Sequence, residues 1–168
     1  IPYKSVDPKV AGGFTNLFKY KYFDLSMTLT YSLGGYSFDK AGSRIETDGA
    51  SESKRNLPVY AADRWQKPGD ITNVPRFVLN QPAGPQNSSR YIHSTDHLRL
   101  KSFTFGVTLP SHWMTKLSID NARLYFSGSN LLTWAKWNQY DPEVPVNGEV
   151  YCEAPPMRTC SFGIEITF

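Results

Sequence analysis

Eleven consecutive residues, Phe23–Leu33, alternate without a break: Phe23, Leu25, Met27, Leu29, Tyr31 and Leu33 are apolar, and Asp24, Ser26, Thr28, Thr30 and Ser32 between them are polar. A β-strand sends successive side chains to opposite faces, so this run is a strand with one greasy face and one wet face. The last residues repeat the pattern, with Cys160, Phe162, Ile164, Ile166 and Phe168 set against Thr159, Ser161, Gly163, Glu165 and Thr167. Phe14, Phe18 and Tyr20 share a face on which Asn16 intrudes, Phe103, Phe105, Val107 and Leu109 alternate up to Pro110, and Leu124 and Phe126 carry a shorter signal. Five antiparallel strands are expected, in an all-β chain with no internal repeat beyond the hairpin.

The composition of the two faces narrows the fold. The wet faces hold small hydroxylic residues, and the greasy faces hold bulky aromatics near the strand ends. A soluble sandwich alternates too, but it favours Val and Ile inside and Lys and Glu outside. The runs span about 8 to 11 residues, where a strand crossing a bilayer needs about 9 to 11. A membrane helix is excluded, because the longest uninterrupted apolar run is 59–62 and a spanning helix needs about 20 residues. Aromatic residues make up 14% of the chain although its mean hydropathy is only -0.42, which suits a surface that meets both apolar and polar surroundings. A net charge of +3 with no basic stripe gives no support to a nucleic-acid partner.

The connections alternate in length. Lys21 and Tyr22 join the first two strands and 110–119 join the third and fourth, whereas 34–94 and 132–156 are long. In an up-and-down meander both long loops then leave one end and both short turns the other, as in outer-membrane barrels with short periplasmic turns and long extracellular loops. Phe168 is thereby expected at the periplasmic rim. Within the first long loop, Asn56 as N-cap, Pro58 in the first turn and Pro68-Gly69 as stop predict one short helix of about two or three turns, with Leu57, Ala61, Arg64 and Trp65 on one side. Five strands cannot close a barrel, and an open sheet edge in lipid leaves backbone groups unpaired, so residues 1–168 read as a piece of a longer protein.

Particular stretches carry a family resemblance. GGFTNLFKYKYFDLSMTLTYSLGG (12–35), DRWQKPGDITNVPRF (63–77), LRLKSFTFGVTLP (98–110), ARLYFSGSNLLTWAKWNQYDPE (122–143) and the closing RTCSFGIEITF occur in order at suitable spacings. Together they resemble the C-terminal strands and loops of SusC/RagA-like TonB-dependent outer-membrane transporters. The resemblance implies the last five antiparallel strands of a 22-stranded transmembrane β-barrel in a gram-negative outer membrane. It also implies partners: the rest of the same barrel and its plug, a SusD-like surface lipoprotein acting as a lid, outer-membrane lipid, and the TonB complex, reached through an N-terminal part that this sequence lacks. Such proteins import large nutrients, glycan or peptide, and do no covalent chemistry on them, so transport without enzyme activity or cofactor is expected. The alternatives are a secreted, aromatic-rich carbohydrate-binding β-domain and a porin without TonB coupling.

Trp134, Trp137 and Tyr140 follow the fourth strand, and as aromatic faces they are candidates for contact with cargo or lid. Phe162, Ile164, Ile166 and Phe168 form a terminal aromatic-ended strand, which resembles the signal that the outer-membrane assembly machinery reads. His93 and His97 have a metal-ligand spacing but no third ligand, and Asp141-Pro142-Glu143 offers two carboxylates to calcium but is first a turn. Arg99 and Lys101 are placed near the outer rim. No G-x-S-x-G is present, and Cys152 and Cys160 are either one disulfide or two small apolar fillers.

Overall fold

The computed structural model describes residues 4–46, 48–49, 56–80, 88–114, 119–143 and 147–168. Among them run eight strands: β1 (Val10–Tyr20), β2 (Phe23–Leu33), β3 (Tyr36–Asp39), β4 (Ile92–Ser94), β5 (His97–Thr108), β6 (Asn121–Ala135), β7 (Glu149–Val150) and β8 (Thr159–Thr167). The five expected strands are β1, β2, β5, β6 and β8, and they form one antiparallel sheet in that order. A two-residue turn at Lys21 and Tyr22 joins β1 to β2, and the segment 109–120 joins β5 to β6; the long segments 34–96 and 136–158 leave the opposite end.

Three strands are longer than their alternation suggests. β1 begins at Val10, β5 at His97, and β6 runs on to Ala135. A bulge accounts for the hidden part of β5. The register passes from Ser102 opposite Ser129 to Leu100 opposite Leu132, leaving Lys101 unmatched on one strand and Asn130 and Leu131 on the other. Asn130 takes the left-handed conformation, φ 52°, at this point. Skipping Lys101 brings Leu98 and Leu100 onto the face of Phe103 and Phe105, although their sequence parity differs.

Among the described residues no other layer covers the apolar face of the sheet. Phe162 is 84% exposed and Ile164 66%, and the buried apolar residues among those described, Ala41, Tyr91, Ala122 and Val150, lie mostly in the loops. The chain exposes 11914 Å², where a compact soluble chain of 19.0 kDa exposes roughly 8,400 Å². A sandwich would stack a second sheet on the apolar side; here the second sheet sits at the long-loop end.

That second sheet has the order β4-β3-β7 and unites the two long loops. β3 and β4 come from the first loop and pair antiparallel, while β7 comes from the second and lies parallel to β3. Phe38 N donates to Gly148 O at 2.8 Å, and Lys136 N donates to Asp96 O at 3.0 Å. Helix α1 (Lys40–Ile45) follows β3 directly, with the Asp39 side chain accepting from Gly42 N at 2.7 Å as its N-cap. The helix expected after Asn56 is a 3-10 turn of five residues, Val59–Asp63, beginning after Pro58, whose extended ψ of 153° ends the reach of Asn56 as a cap. A short helical turn, α2 (Ser111–Met114), lies in the connection between β5 and β6.

Candidate functional site

At the long-loop end the polar face of β5 meets the second loop through ion pairs. Arg99 is 1% exposed, and its Nη2 donates to both carboxylate oxygens of Asp141 at 2.7 and 2.6 Å. Its Nη1 lies 3.3 Å from Glu143 Oε2, and Lys101 Nζ donates to both oxygens of Glu143 at 2.9 Å. Both carboxylates weighed for calcium are therefore neutralised by cations of the sheet. Nor does Arg99 sit free at a rim: it lies between its register partners Thr30 and Thr133 on the polar face. Sequence reasoning missed this cluster because its members are 42 residues apart and no spacing rule joins them. Opposite charge is the one signal available.

The three aromatic candidates divide. Trp137 stacks on His93 of β4, ring centroids 4.1 Å apart at 12°, and meets Tyr140 edge-on at 5.4 Å. Trp134 instead belongs to β6, pairs with Leu98, and lies with Leu132 on the apolar face, away from Arg99. Tyr140 lines a cavity of about 290 Å³ with Thr133, Asn138, Gln139, Asp141 and Glu153, and a smaller one of about 190 Å³ beside it. A phenol ring, amides and carboxylates around one opening suit a ligand with apolar bodies and polar edges.

The first loop frames this cluster. Arg90 bridges Glu46 at 2.7 Å and Asp48 at 2.9 Å, and Tyr91 OH donates to Glu46 O at 3.1 Å. Tyr60 OH donates to Glu46, and Lys40 pairs with Glu149 across the two loops. Burial pushes the Asp39 and Asp48 carboxyls above the usual range and pushes His93 below it, against the pull of Asp39 and Glu46. Burial thus favours the neutral form of His93 where it stacks on Trp137. His97 Nδ1 donates to Thr95 O at 2.8 Å, and among the described residues no third ligand joins it to His93. Among the described residues no three His, Cys, Asp or Glu groups converge as metal ligands.

At the other end, Phe162, Ile164 and Ile166 of β8 lie opposite Phe126, Leu124 and Ala122 on the apolar face, and Phe168 follows the strand, exposed. Cys152 and Cys160 are both free and exposed.

No protein-family model matches the chain. TonB-dependent receptor P3 of Formosa agariphila is 30% identical over 176 residues, covering 96% of this chain and 16% of that receptor. TonB-dependent receptor P26 of the same organism is 26% identical over 171 residues, covering 96% and 17%. Among solved structures, the RagAB peptide transporter superposes with a TM-score of 0.83 at 26% identity, over 98% of this chain and 18% of that one. The chain is similar to a C-terminal barrel segment of SusC/RagA-like TonB-dependent receptors. The RagAB peptide importer in its closed-closed state gives a TM-score of 0.80 at 26% identity.

The chain spans 16% to 17% of the length of the curated relatives it matches. In a receptor barrel the polar face lines the lumen and the apolar face meets lipid. Arg99 and its partners thus stand on the lumenal wall at the long-loop end. Trp134 stands on the opposite, apolar face, paired with Leu98.

Proposed function

We propose that this chain is part of an outer-membrane active importer of large nutrients, energised through TonB and closed by a SusD-like surface lipoprotein, with peptide or glycan as cargo. The observation that carries the proposal is the union of the two long loops. They fold through β3, β4 and β7 into one cap over the lumenal face, at the end of a sheet whose other face is left bare for lipid. The likeness to the RagAB peptide importer supports peptide as the cargo. The mixed lining around Tyr140 fits the side chains and amides of a peptide as well as a sugar ring.

Within this reading Trp137 and Tyr140 are the cargo or lid contacts, and the rest of the barrel, the plug and the TonB complex are partners beyond this segment. The terminal strand with Phe162, Ile164, Ile166 and Phe168 serves assembly. The test is uptake by the full-length protein in a gram-negative host. Deleting its gene should abolish growth on a casein digest or a polysaccharide and leave growth on free amino acids and glucose, and loss of TonB should have the same effect. Unimpaired growth on every polymeric nutrient would overturn the import reading. The secreted carbohydrate-binding alternative requires solubility without detergent, which the bare apolar face opposes.

A further inference from the structure

We infer that Arg99 is a positioning residue for import: it clamps the second long loop to the lumenal wall and thereby holds Tyr140 and Trp137 at the mouth of the barrel. What the aromatic pair does there rests on the import reading above; the clamp itself rests on geometry.

Arg99 is removed from water, and its register partners on the neighbouring strands, Thr30 and Thr133, carry no charge. A desolvated guanidinium must be paired, and both of its carboxylate partners come from the loop. Its Nε has no acceptor among the described residues, so the wall does not saturate it and the loop carries its neutralisation. The loop is shaped for the task. Glu143 N donates to Asp141 Oδ1 at 2.9 Å, a local turn around the buried Pro142 that turns both carboxylates toward β5. Lys101, freed from the ladder by the bulge, reaches the outer side of Glu143.

The clamp sets where the loop lies. Pro142 and Glu143 line a cavity of about 430 Å³ together with Thr30, Ser32 and His97, polar-face residues of β2 and β5. The segment therefore rests on the inner wall instead of projecting away from the barrel. Tyr140 is the residue before Asp141, so fixing the carboxylate fixes the ring; Trp137 is held at its other side by His93. Without the clamp, Trp137 would still be tethered by the end of β6, the Lys136 N–Asp96 O bond and the His93 stack, but Tyr140 would lose the fixed carboxylate beside it.

The experiment uses the full-length receptor with Cys152→Ser and Cys160→Ser, spin-labelled at Gln139→Cys and Lys21→Cys and held in lipid nanodiscs. The width of the distance distribution is measured on the labelled protein, and the peptide retained from a tryptic casein digest is measured on the unlabelled receptor with Gln139 and Lys21 intact. Asp141→Asn and Arg99→Met should broaden the distribution and lower retained peptide about tenfold at unchanged outer-membrane level, while Arg99→Lys keeps both near the unmodified values. A distribution that stays narrow in Asp141→Asn overturns the clamp. Broadening with undiminished peptide overturns the positioning role. If the unmodified receptor retains no peptide, the peptide reading fails, and the distance distribution still decides the clamp. Should Arg99→Met fail to reach the membrane, Asp141→Asn and Glu143→Gln, altered on the loop side, carry the same test.

Discussion

Arg123 reaches across a whole strand to hold Asp24. Its Nε donates to Asp24 Oδ1 at 3.0 Å and its Nη2 to Oδ2 at 2.6 Å, from β6 to β2 over the intervening β5. Gly106 lies beneath the pair, and a Cβ there would stand 2.4 Å from Asp24 Oδ1 and 2.7 Å from Arg123 Nε. Glycine at this position is what lets the lumenal ion pair form. Gly106→Ala should destabilise the barrel by about 1 to 3 kcal/mol through overpacking, and Asp24→Asn, which loses only a solvent-facing pair, by about 1 kcal/mol or less. Urea unfolding of the full-length protein in lipid vesicles measures both. The account fails here if Asp24→Asn is the more damaging.

The two faces of β2 should differ in what they tolerate. Leu29 faces the apolar side between Phe14 and Leu100, and Thr28 faces the lumen between Thr15 and Ser102. Leu29→Arg should lower stability by about 2 to 4 kcal/mol if it stands near the bilayer midplane, and Thr28→Arg by clearly less. Equal losses in the same vesicle assay would point to a sheet that is not in lipid.

The cap formed by the loops should loosen in mild acid. His93 is held below its ordinary pKa by burial, so the closed cap refuses a proton that the opened loop accepts. The stability that His93 contributes is complete above its unfolded pKa of about 6.5 and is lost as pH falls below it. Asp39 and Asp48, raised by burial, act oppositely, at lower pH. Protease resistance of the loops should therefore fall between about pH 7.5 and 5.5, and His93→Gln should flatten that dependence. A pH dependence of the same size in His93→Gln would assign it to another group.

The strands were legible because each carries its own period. Phe23–Leu33 announces itself without help from the rest of the chain, and so does the run through Phe162, Ile164 and Ile166. What stayed hidden depends on partners far away in sequence. The bulge at Lys101 shifts parity within β5, so Leu98 and Leu100 looked unrelated to Phe103 until their neighbours on β2 and β6 were in place. β3, β4 and β7 are too short to show alternation, and they exist because two loops meet. In the same way Trp137 was identified as a candidate without His93, and Asp141 and Glu143 were read without the two cations that hold them.

The terminal strand supplies a further expectation. Phe162, Ile164 and Ile166 form an apolar row on a strand paired on one side only by β6, and Phe168 stands exposed at its end. Such an edge is available to assembly machinery until the barrel closes. Deleting Phe168 from the full-length protein should lower its outer-membrane level several-fold, whereas Ile71→Ser, which removes another exposed apolar side chain, from the first loop, should not. Quantitative blotting of outer-membrane fractions compares them, and equal levels would remove the assembly role.

The central claim is that the sheet crosses the outer membrane with its long loops outside and its short turns inside. It is tested most directly by labelling intact cells that express the full-length protein, in the Cys152→Ser and Cys160→Ser background, with a membrane-impermeant maleimide. Asn147→Cys stands in the second long loop and Lys21→Cys in the turn between β1 and β2. The account predicts that Asn147→Cys is labelled on intact cells and Lys21→Cys only after the outer membrane is permeabilised; labelling of Lys21→Cys from outside, at a rate equal to that of Asn147→Cys, would contradict it.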